Sequence, residues 1–103
     1  MDIKEFYELK KELQDIAHEI MNSKQPEYTN NNADVLHNFK STAKNLGLDP
    51  KEVWGVFFHK HIQAILSHAH NPNMYRAEPI ESRYADAINY LYLGYALMKE
   101  SDR

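Results

Sequence analysis

Apolar side chains recur every three or four residues over much of the chain, which is the spacing of helices that bury one face. The first such segment extends from about Asp2 to Met21, and Asp2 and Glu5 have the spacing of a capping box. The periodicity stops over residues 22–32, where Pro26 and three consecutive asparagines predict a loop. We interpret this loop as a linker, and the less favoured alternative is a flexible rim that closes over a ligand.

The next two helices have recognisable ends. A second helix is predicted from Ala33 or Asp34 to Leu46, and Gly47 then occupies the left-handed position that commonly follows a helix. A third helix begins after Asp49, where DPKE combines an N-cap, a proline at the first helical position and a capping-box glutamate. The NPN sequence that follows its apolar positions ends it.

The fourth helix, predicted from about Pro79 to Glu100, is apolar on two sides. One stripe comprises Ile80, Tyr84, Ala87, Ile88, Leu91, Tyr95 and Met98, and the other comprises Tyr90, Leu93 and Leu97. A single small core needs only one of these stripes, and we interpret the stripe of Tyr90, Leu93 and Leu97 as surplus to it. The pattern therefore predicts a homo-oligomer that assembles through the fourth helix. The four segments together predict one all-α domain over residues 1–103, built as a compact helical bundle.

Composition and charge exclude several classes of protein. The chain has 103 residues, a net charge of -3 and no cysteine. A protein that binds nucleic acid through its phosphates needs a basic surface, so we expect no nucleic-acid partner. The chain also lacks an apolar run long enough for a membrane span, and its charged, periodic start is unlike a signal peptide. We therefore expect a cytoplasmic protein without a membrane partner.

The stretches ADVLHNFK, FFHKHIQAI and EPIESRYADAINYLYLGYAL carry a pattern of matching residues: Asn38, Phe39, Lys60, Glu81, Asp86, Asn89 and Tyr90. In these residues the chain resembles small helical phage and prophage proteins of the nucleotide-modification-associated domain type. That group is distantly similar to the all-α nucleotide pyrophosphohydrolases of the MazG and dUTPase type. The resemblance covers about residues 30–100 and implies a helical fold, a nucleotide-like ligand and a phage setting.

The acidic residues depart from the pyrophosphohydrolase pattern, in which two helices each carry paired acids that hold magnesium. Residues 53–70 of the third helix contain no acid, and Glu81 and Asp86 are five residues apart, on different faces of a helix. His59 and His61 in the HKH sequence also point to different sides of their helix. We therefore assign no catalytic residue and no metal site, and an enzyme is the less favoured interpretation.

Four cationic side chains suit an anionic ligand: Lys60, His61, Arg76 and Arg83. Arginine presents a planar fork of donors to phosphate oxygens. Tyr75, next to Arg76 in the loop before the fourth helix, and Tyr90 supply rings on which a base could stack. Asp86, three residues later, is also a candidate ligand-binding residue and is expected to orient Arg83 in the free protein. The competing interpretation is that Arg83 only forms an ion pair with Asp86. Asn38, Phe39 and Glu81 are assigned to the support of this site.

Asn89 is a polar residue within the apolar part of the fourth helix. A buried amide must be hydrogen-bonded, so it either ties two helices together or contacts the edge of a ligand. We favour the first role, because buried polar groups often serve only to set the register of packed helices. The second role keeps Asn89 among the candidate ligand-binding residues.

These features together predict a phage-type, non-catalytic nucleotide-binding protein in the cytoplasm of a host bacterium. Its ligand would be a nucleotide or a cyclic nucleotide, and sequestering such a signal of host antiviral immunity is the role we favour. The first alternative is a magnesium-dependent nucleotide pyrophosphohydrolase, the one case in which a cofactor is expected. The second is a helical protein-interaction module, because tyrosine is enriched at protein interfaces.

Overall fold

The computed structural model describes residues 1–29, 33–75 and 77–102, apart from the side chains of residues 25 and 27–29. Four helices make up the fold: α1 (Ile3–Thr29), α2 (His37–Leu46), α3 (Pro50–His70) and α4 (Ile80–Ser101). The described part of the chain contains no strand, which confirms the predicted all-α bundle of four helices. No helix in these ranges is long and apolar enough to cross a membrane.

The first helix begins as predicted but continues much further. Asp2 Oδ1 accepts a hydrogen bond from Glu5 N at 2.8 Å, which caps the helix. The loop prediction for residues 22–29 is wrong, because α1 continues through Pro26; residues 30–32 of that prediction lie outside the described ranges. A proline removes only one backbone hydrogen bond, and the added turns include one tertiary ion pair. Met21 packs against the core and Lys24 reaches the fourth helix.

The second helix starts later than predicted and ends as predicted. Asp34 holds residues 34–36 in a turn, because its Oδ1 accepts a hydrogen bond from Leu36 N at 2.9 Å and its backbone oxygen accepts one from His37 N. A side chain that binds its own backbone in this way competes with helix formation. At the other end Gly47 has φ 68°, and the left-handed terminator is confirmed.

The capping box of α3 is confirmed in both directions. Asp49 Oδ1 accepts a hydrogen bond from Lys51 N at 2.8 Å, and Glu52 Oε1 accepts one from Asp49 N at 3.1 Å. Pro50 stands at the first helical position, where its missing N–H costs no helical hydrogen bond. At the far end Asn71 N donates to Ser67 O at 2.9 Å. Local chemistry therefore sets both ends of this helix.

The core lies between α2, α3 and α4, and its central buried cluster comprises Leu36, Phe39, Ala43, Val53, Leu93 and Leu97. The stripe that contains Leu93 and Leu97 thus packs within one chain. We had interpreted this stripe as surplus to the core, and that interpretation is wrong. The outer side of α4 is the exposed one, with 52% of Leu91 and 66% of Tyr95 accessible.

Candidate functional site

A buried polar cluster lies between α1, α3 and α4. Asp86 is only 4% exposed, and its Oδ1 lies 3.6 Å from Lys24 Nζ while its Oδ2 lies 4.0 Å from His61 Nδ1. Within the described ranges, neither Asp86 Oδ1 nor His61 Nδ1 has a hydrogen-bond partner. A buried polar atom without a partner costs free energy, so this cluster lowers the stability of the fold.

His61 is held in its neutral form. Burial lowers its pKa from the ordinary value of 6.5, and the positive charges of Lys60, Arg83 and Lys24 act in the same direction. The carboxylate of Asp86 opposes them and does not overcome the cost of burying a charge. Because this pKa lies below 6.5, the neutral imidazole predominates at pH 7, and a contact between His61 and a phosphate stays a prediction.

Tyr90 connects this cluster to an aromatic pocket on the other side of its ring. The ring centroids of Tyr90 and His61 are 4.6 Å apart. Burial and the nearby charge of Asp86 raise the pKa of the Tyr90 phenol, so that it stays protonated. The pocket beyond it has a volume of about 210 Å³ and is lined by Asn38, Phe39, Thr42, Phe57 and Tyr90. Three residues of the family-like pattern, at positions 38, 39 and 90, therefore meet there.

Asn89 has the structural role that we favoured. Its Nδ2 donates a hydrogen bond to the backbone oxygen of Ala17 at 2.9 Å, and the residue is 2% exposed. This bond joins α4 to α1 across 72 positions of sequence. The amide nitrogen is therefore engaged within the protein, and Asn89 supports the site without presenting that group to a ligand.

A second pocket, termed the Arg83 pocket, lies where α3, the following loop and the start of α4 meet. Its volume is about 250 Å³, and its lining residues are Ala64, Ser67, Met74, Tyr75, Ala77 and Arg83. The side chain of Arg83 is one-quarter exposed. The cap of α4 is Pro79, which forms no side-chain hydrogen bond with the first turn. Positive charge, a helix start and an aromatic ring therefore lie together in this part of the surface.

The predicted ion pair between Arg83 and Asp86 is replaced by two other contacts. Arg83 Nε lies 3.8 Å from Glu78 Oε2, and Asp86 turns inward toward Lys24 and His61. The three-residue spacing allowed the predicted pair. The pair does not form, because helix packing places Asp86 in the interior while Arg83 stays near the surface.

The remaining predicted residues are dispersed. Lys60 is exposed on α3, and Tyr75 is 88% exposed at the rim of the Arg83 pocket. Glu81 lines a different cleft, against α1, and so does not converge with Asp86. Arg76 lies outside the described residues. Within the described ranges, no three His, Asp or Glu side chains form a group that could hold a metal ion.

Sequence reasoning missed two contributors to these sites. Lys24 was assigned to a loop, although its spacing of seven residues from Ala17 would have placed both on one face of a longer helix. Trp54 packs against the core, and its Nε1 also donates a hydrogen bond to Tyr90 O at 2.7 Å. No local sequence pattern predicts this hydrogen bond, because it depends on how α3 packs against α4.

Comparison with known proteins does not assign the chain to a family. No protein-family model, curated protein or solved structure matches it. The resemblance to the nucleotide-modification-associated group therefore stays a prediction that rests on the residues that carry it.

Proposed function

We propose that this chain is a non-catalytic nucleotide-binding protein and that the phosphate of its ligand binds in the Arg83 pocket. The observation that carries the proposal is the presence of a cation, an aromatic ring and a hydroxyl around one cavity. These groups belong to Arg83, Tyr75 and Ser67. They match the three chemical parts of a nucleotide, which are an anionic phosphate, a flat base and a polar sugar.

The surroundings of Arg83 favour an anion. The first turn of α4 has no side-chain cap, and free N–H groups at a helix start attract negative charge. Glu78 is the carboxylate nearest to Arg83 Nε, at 3.8 Å, and half of its side chain is exposed. An incoming phosphate would displace this weak surface pair. In the free protein Arg83 thus has only a weak surface partner, and its side chain stays partly accessible.

The size of the pocket bears on the kind of ligand. A volume of about 250 Å³ holds only part of a nucleotide, since pockets that enclose whole small ligands have volumes of about 300–1,000 Å³. The phosphate and sugar would fill the cavity, and the base would lie against the exposed ring of Tyr75. Linear and cyclic nucleotides share this chemistry. Sequestering a cyclic nucleotide signal of host immunity is the role that we favour for a protein in a phage setting.

Binding without catalysis is favoured by the positions of the acidic residues. Magnesium-dependent hydrolysis requires carboxylates that converge on one ion. Asp86 is buried beside Lys24 and His61, whereas Glu81 faces a separate cleft. These two acids therefore do not share an ion in this arrangement.

Titration calorimetry with nucleoside phosphates and cyclic dinucleotides tests the proposal. Arg83→Ala should weaken binding about ten- to a hundredfold, because a hydrogen bond to a charged group contributes about 1.5–3 kcal/mol. Glu78→Gln should act in the opposite direction and strengthen binding by up to about fivefold, because it removes the competing carboxylate of a surface pair. Lys44→Ala, which removes an exposed cation of α2, is the control and should bind as the wild type does.

Three outcomes would contradict the proposal. A wild-type protein that binds none of these ligands is not a nucleotide-binding protein of this kind. An Arg83→Ala variant with unchanged affinity would move the site elsewhere, and the aromatic pocket beside Tyr90 would be the next candidate. Release of pyrophosphate from a nucleoside triphosphate in the presence of magnesium would establish the catalytic alternative.

A further inference from the structure

We infer that a second copy of this chain covers the outer face of α4. We define the outer face as the exposed stripe of Tyr84, Leu91, Tyr95 and Met98. All four side chains are large and mainly apolar, and they lie on the side of α4 that points away from the core. This inference does not depend on the proposed nucleotide site.

The outer face carries few of the charges that normally cover an exposed helix; Lys99, at its far end, places Nζ 5.7 Å from the centroid of the Tyr95 ring. Residues 87–98 contain no charged side chain at all, although Leu91 and Tyr95 within this segment are more than half exposed. A helix that faces water along one side ordinarily carries charged or polar residues there. Contiguous apolar surface of this kind is typical of a protein interface.

The accessible area of the chain supports the same conclusion. A compact monomer of this mass exposes about 6,000 Å², whereas this chain exposes 7478 Å². The radius of gyration is 15.4 Å, compared with about 13 Å for a compact domain of this length. The surplus of roughly 1,500 Å² lies within the range of about 1,000–2,500 Å² that each subunit of an obligate dimer buries.

The N-terminal half of α1 extends the apolar surface beyond α4. Every residue from 1 to 12 is exposed, and Ile3 and Phe6 lie one helical turn apart in this part of the helix. Next to them is a cleft of about 280 Å³ between α1 and α4, which Ile80 and Tyr84 line from the α4 side. Tyr84 therefore belongs to both the cleft and the outer face. The cleft, whose lining also includes Glu12 and Glu81, adjoins the outer face at Tyr84.

The order of residues on the outer face favours a second copy over a different protein. Tyr84 and Met98 are each seven residues from Leu91, on opposite sides of it. A twofold axis at Leu91 would place Tyr84 against the partner's Met98 and, by symmetry, Met98 against the partner's Tyr84. Contacts between methionine sulfur and aromatic rings are favourable. The stripe is thus complementary to an antiparallel copy of itself, as a twofold interface requires.

Sedimentation equilibrium of the full chain tests the oligomeric state and the surface together. The wild type should have twice the 12.1 kDa mass of the chain. Leu91→Lys places two like charges at the axis and should raise the dissociation constant at least tenfold, while circular dichroism stays helical. Val56→Lys is the matched control, because Val56 is 68% exposed on α3 and lies outside the proposed interface. It should leave the dimer intact.

Cysteine cross-linking locates the axis directly, because the natural chain contains no cysteine. Two cysteines at a twofold axis can approach the Cβ separation of about 3.5–4.5 Å that a disulfide requires. Leu91→Cys should therefore form a disulfide-linked dimer under mild oxidation, and Val56→Cys should not. A monomeric wild type would overturn the inference and leave a different protein as the occupant of the face. A dimer that Leu91→Lys leaves intact and Leu91→Cys does not cross-link would place the interface elsewhere.

Discussion

The two halves of α4 are buried in different ways. Residues 80–90 place Asp86 and Asn89 in the interior, and both depend on polar contacts with other helices. Residues 91–101 bury Leu93 and Leu97 in the apolar core. Both halves belong to one continuous helix, so the backbone does not explain the difference. Polar groups of α1 and α3 meet the first half, whereas apolar side chains of α2 and α3 meet the second.

The two halves also differ in what they contribute to the stability of the fold. The second half contributes apolar burial, which stabilises a fold by about 25 cal/mol for each Å² removed from water. The first half buries Asp86 Oδ1, which has no hydrogen-bond partner among the described residues, and such an atom costs stability. It also begins at the Arg83 pocket and ends at the aromatic pocket. Natural proteins tolerate such local costs chiefly where a site has to be built.

The largest expected effect concerns Gly94, in the apolar half. A Cβ at this position would lie 2.3 Å from Cζ2 of Trp54, so the indole would have to move. Gly94→Ala should then lower the free energy of unfolding by about 1–3 kcal/mol, which is the usual cost of overpacking a core. This loss of stability is opposite in sign to the effect of helix propensity, since replacing glycine with alanine normally stabilises a helix. Urea denaturation measures it.

Gly55, on α3, is the matched control for this prediction. A Cβ there meets nothing within 4 Å. Gly55→Ala should therefore raise the free energy of unfolding by about 0.5–1 kcal/mol through helix propensity alone. Equal effects of the two substitutions would mean that Trp54 does not pack against Gly94 in solution.

A smaller effect is expected at Asn89, in the polar half. Asn89→Ala removes the hydrogen bond to the backbone oxygen of Ala17 and should lower the free energy of unfolding by about 0.5–1.5 kcal/mol. The affinity for a nucleotide should stay within twofold of the wild type, because the amide nitrogen is used inside the protein. A variant that folds normally but loses its ligand would return Asn89 to the binding residues. Thermal melts and titration calorimetry on the same samples decide between a structural and a ligand-binding role of Asn89.

The smallest effect is a dependence of stability on pH that comes from His61. Its pKa in the folded protein lies below the ordinary 6.5, chiefly because the ring is buried. Well above pH 6.5 the imidazole is neutral in both states and adds no pH dependence. As the pH falls below 6.5, the unfolded chain takes up a proton that the folded chain resists, so the free energy of unfolding decreases.

Urea denaturation between pH 7.5 and pH 5 would reveal this slope. His61→Gln should flatten it, whatever the substitution does to stability at pH 7.5. His59→Gln, at an exposed position of the same helix, should keep the wild-type slope. A slope that persists unchanged in His61→Gln would mean that another group causes it.

The sequence predicted helix ends well where a few neighbouring residues complete the chemistry. The cap at Asp2, the terminator at Gly47 and the capping box at Asp49 were all identified correctly. The loop prediction around Pro26 failed for a related reason. Proline is a strong local signal, but the helix continues through it, and just before it Lys24 pairs with Asp86 from a distant part of the chain.

The sequence predicted which residues could belong to the candidate sites, but not which of them contact one another. The sequence identified Arg83, Asp86 and Asn89 as polar residues within an otherwise apolar helix. It could not show that Asp86 faces His61 and Lys24, since these residues lie on two other helices. It also misassigned the buried side of α4, because both of its stripes have helical spacing and only packing distinguishes them.

By itself the sequence determined the helical class of this protein, most of its helix boundaries and the lack of charge along the second half of α4. Each of these follows from residues that are close together in the chain. Only the tertiary structure decided which stripe of α4 is buried, where Arg83 stays accessible and why His61 is neutral. Those properties arise from burial and from charges brought together across long sequence distances, and a local pattern contains no information about either.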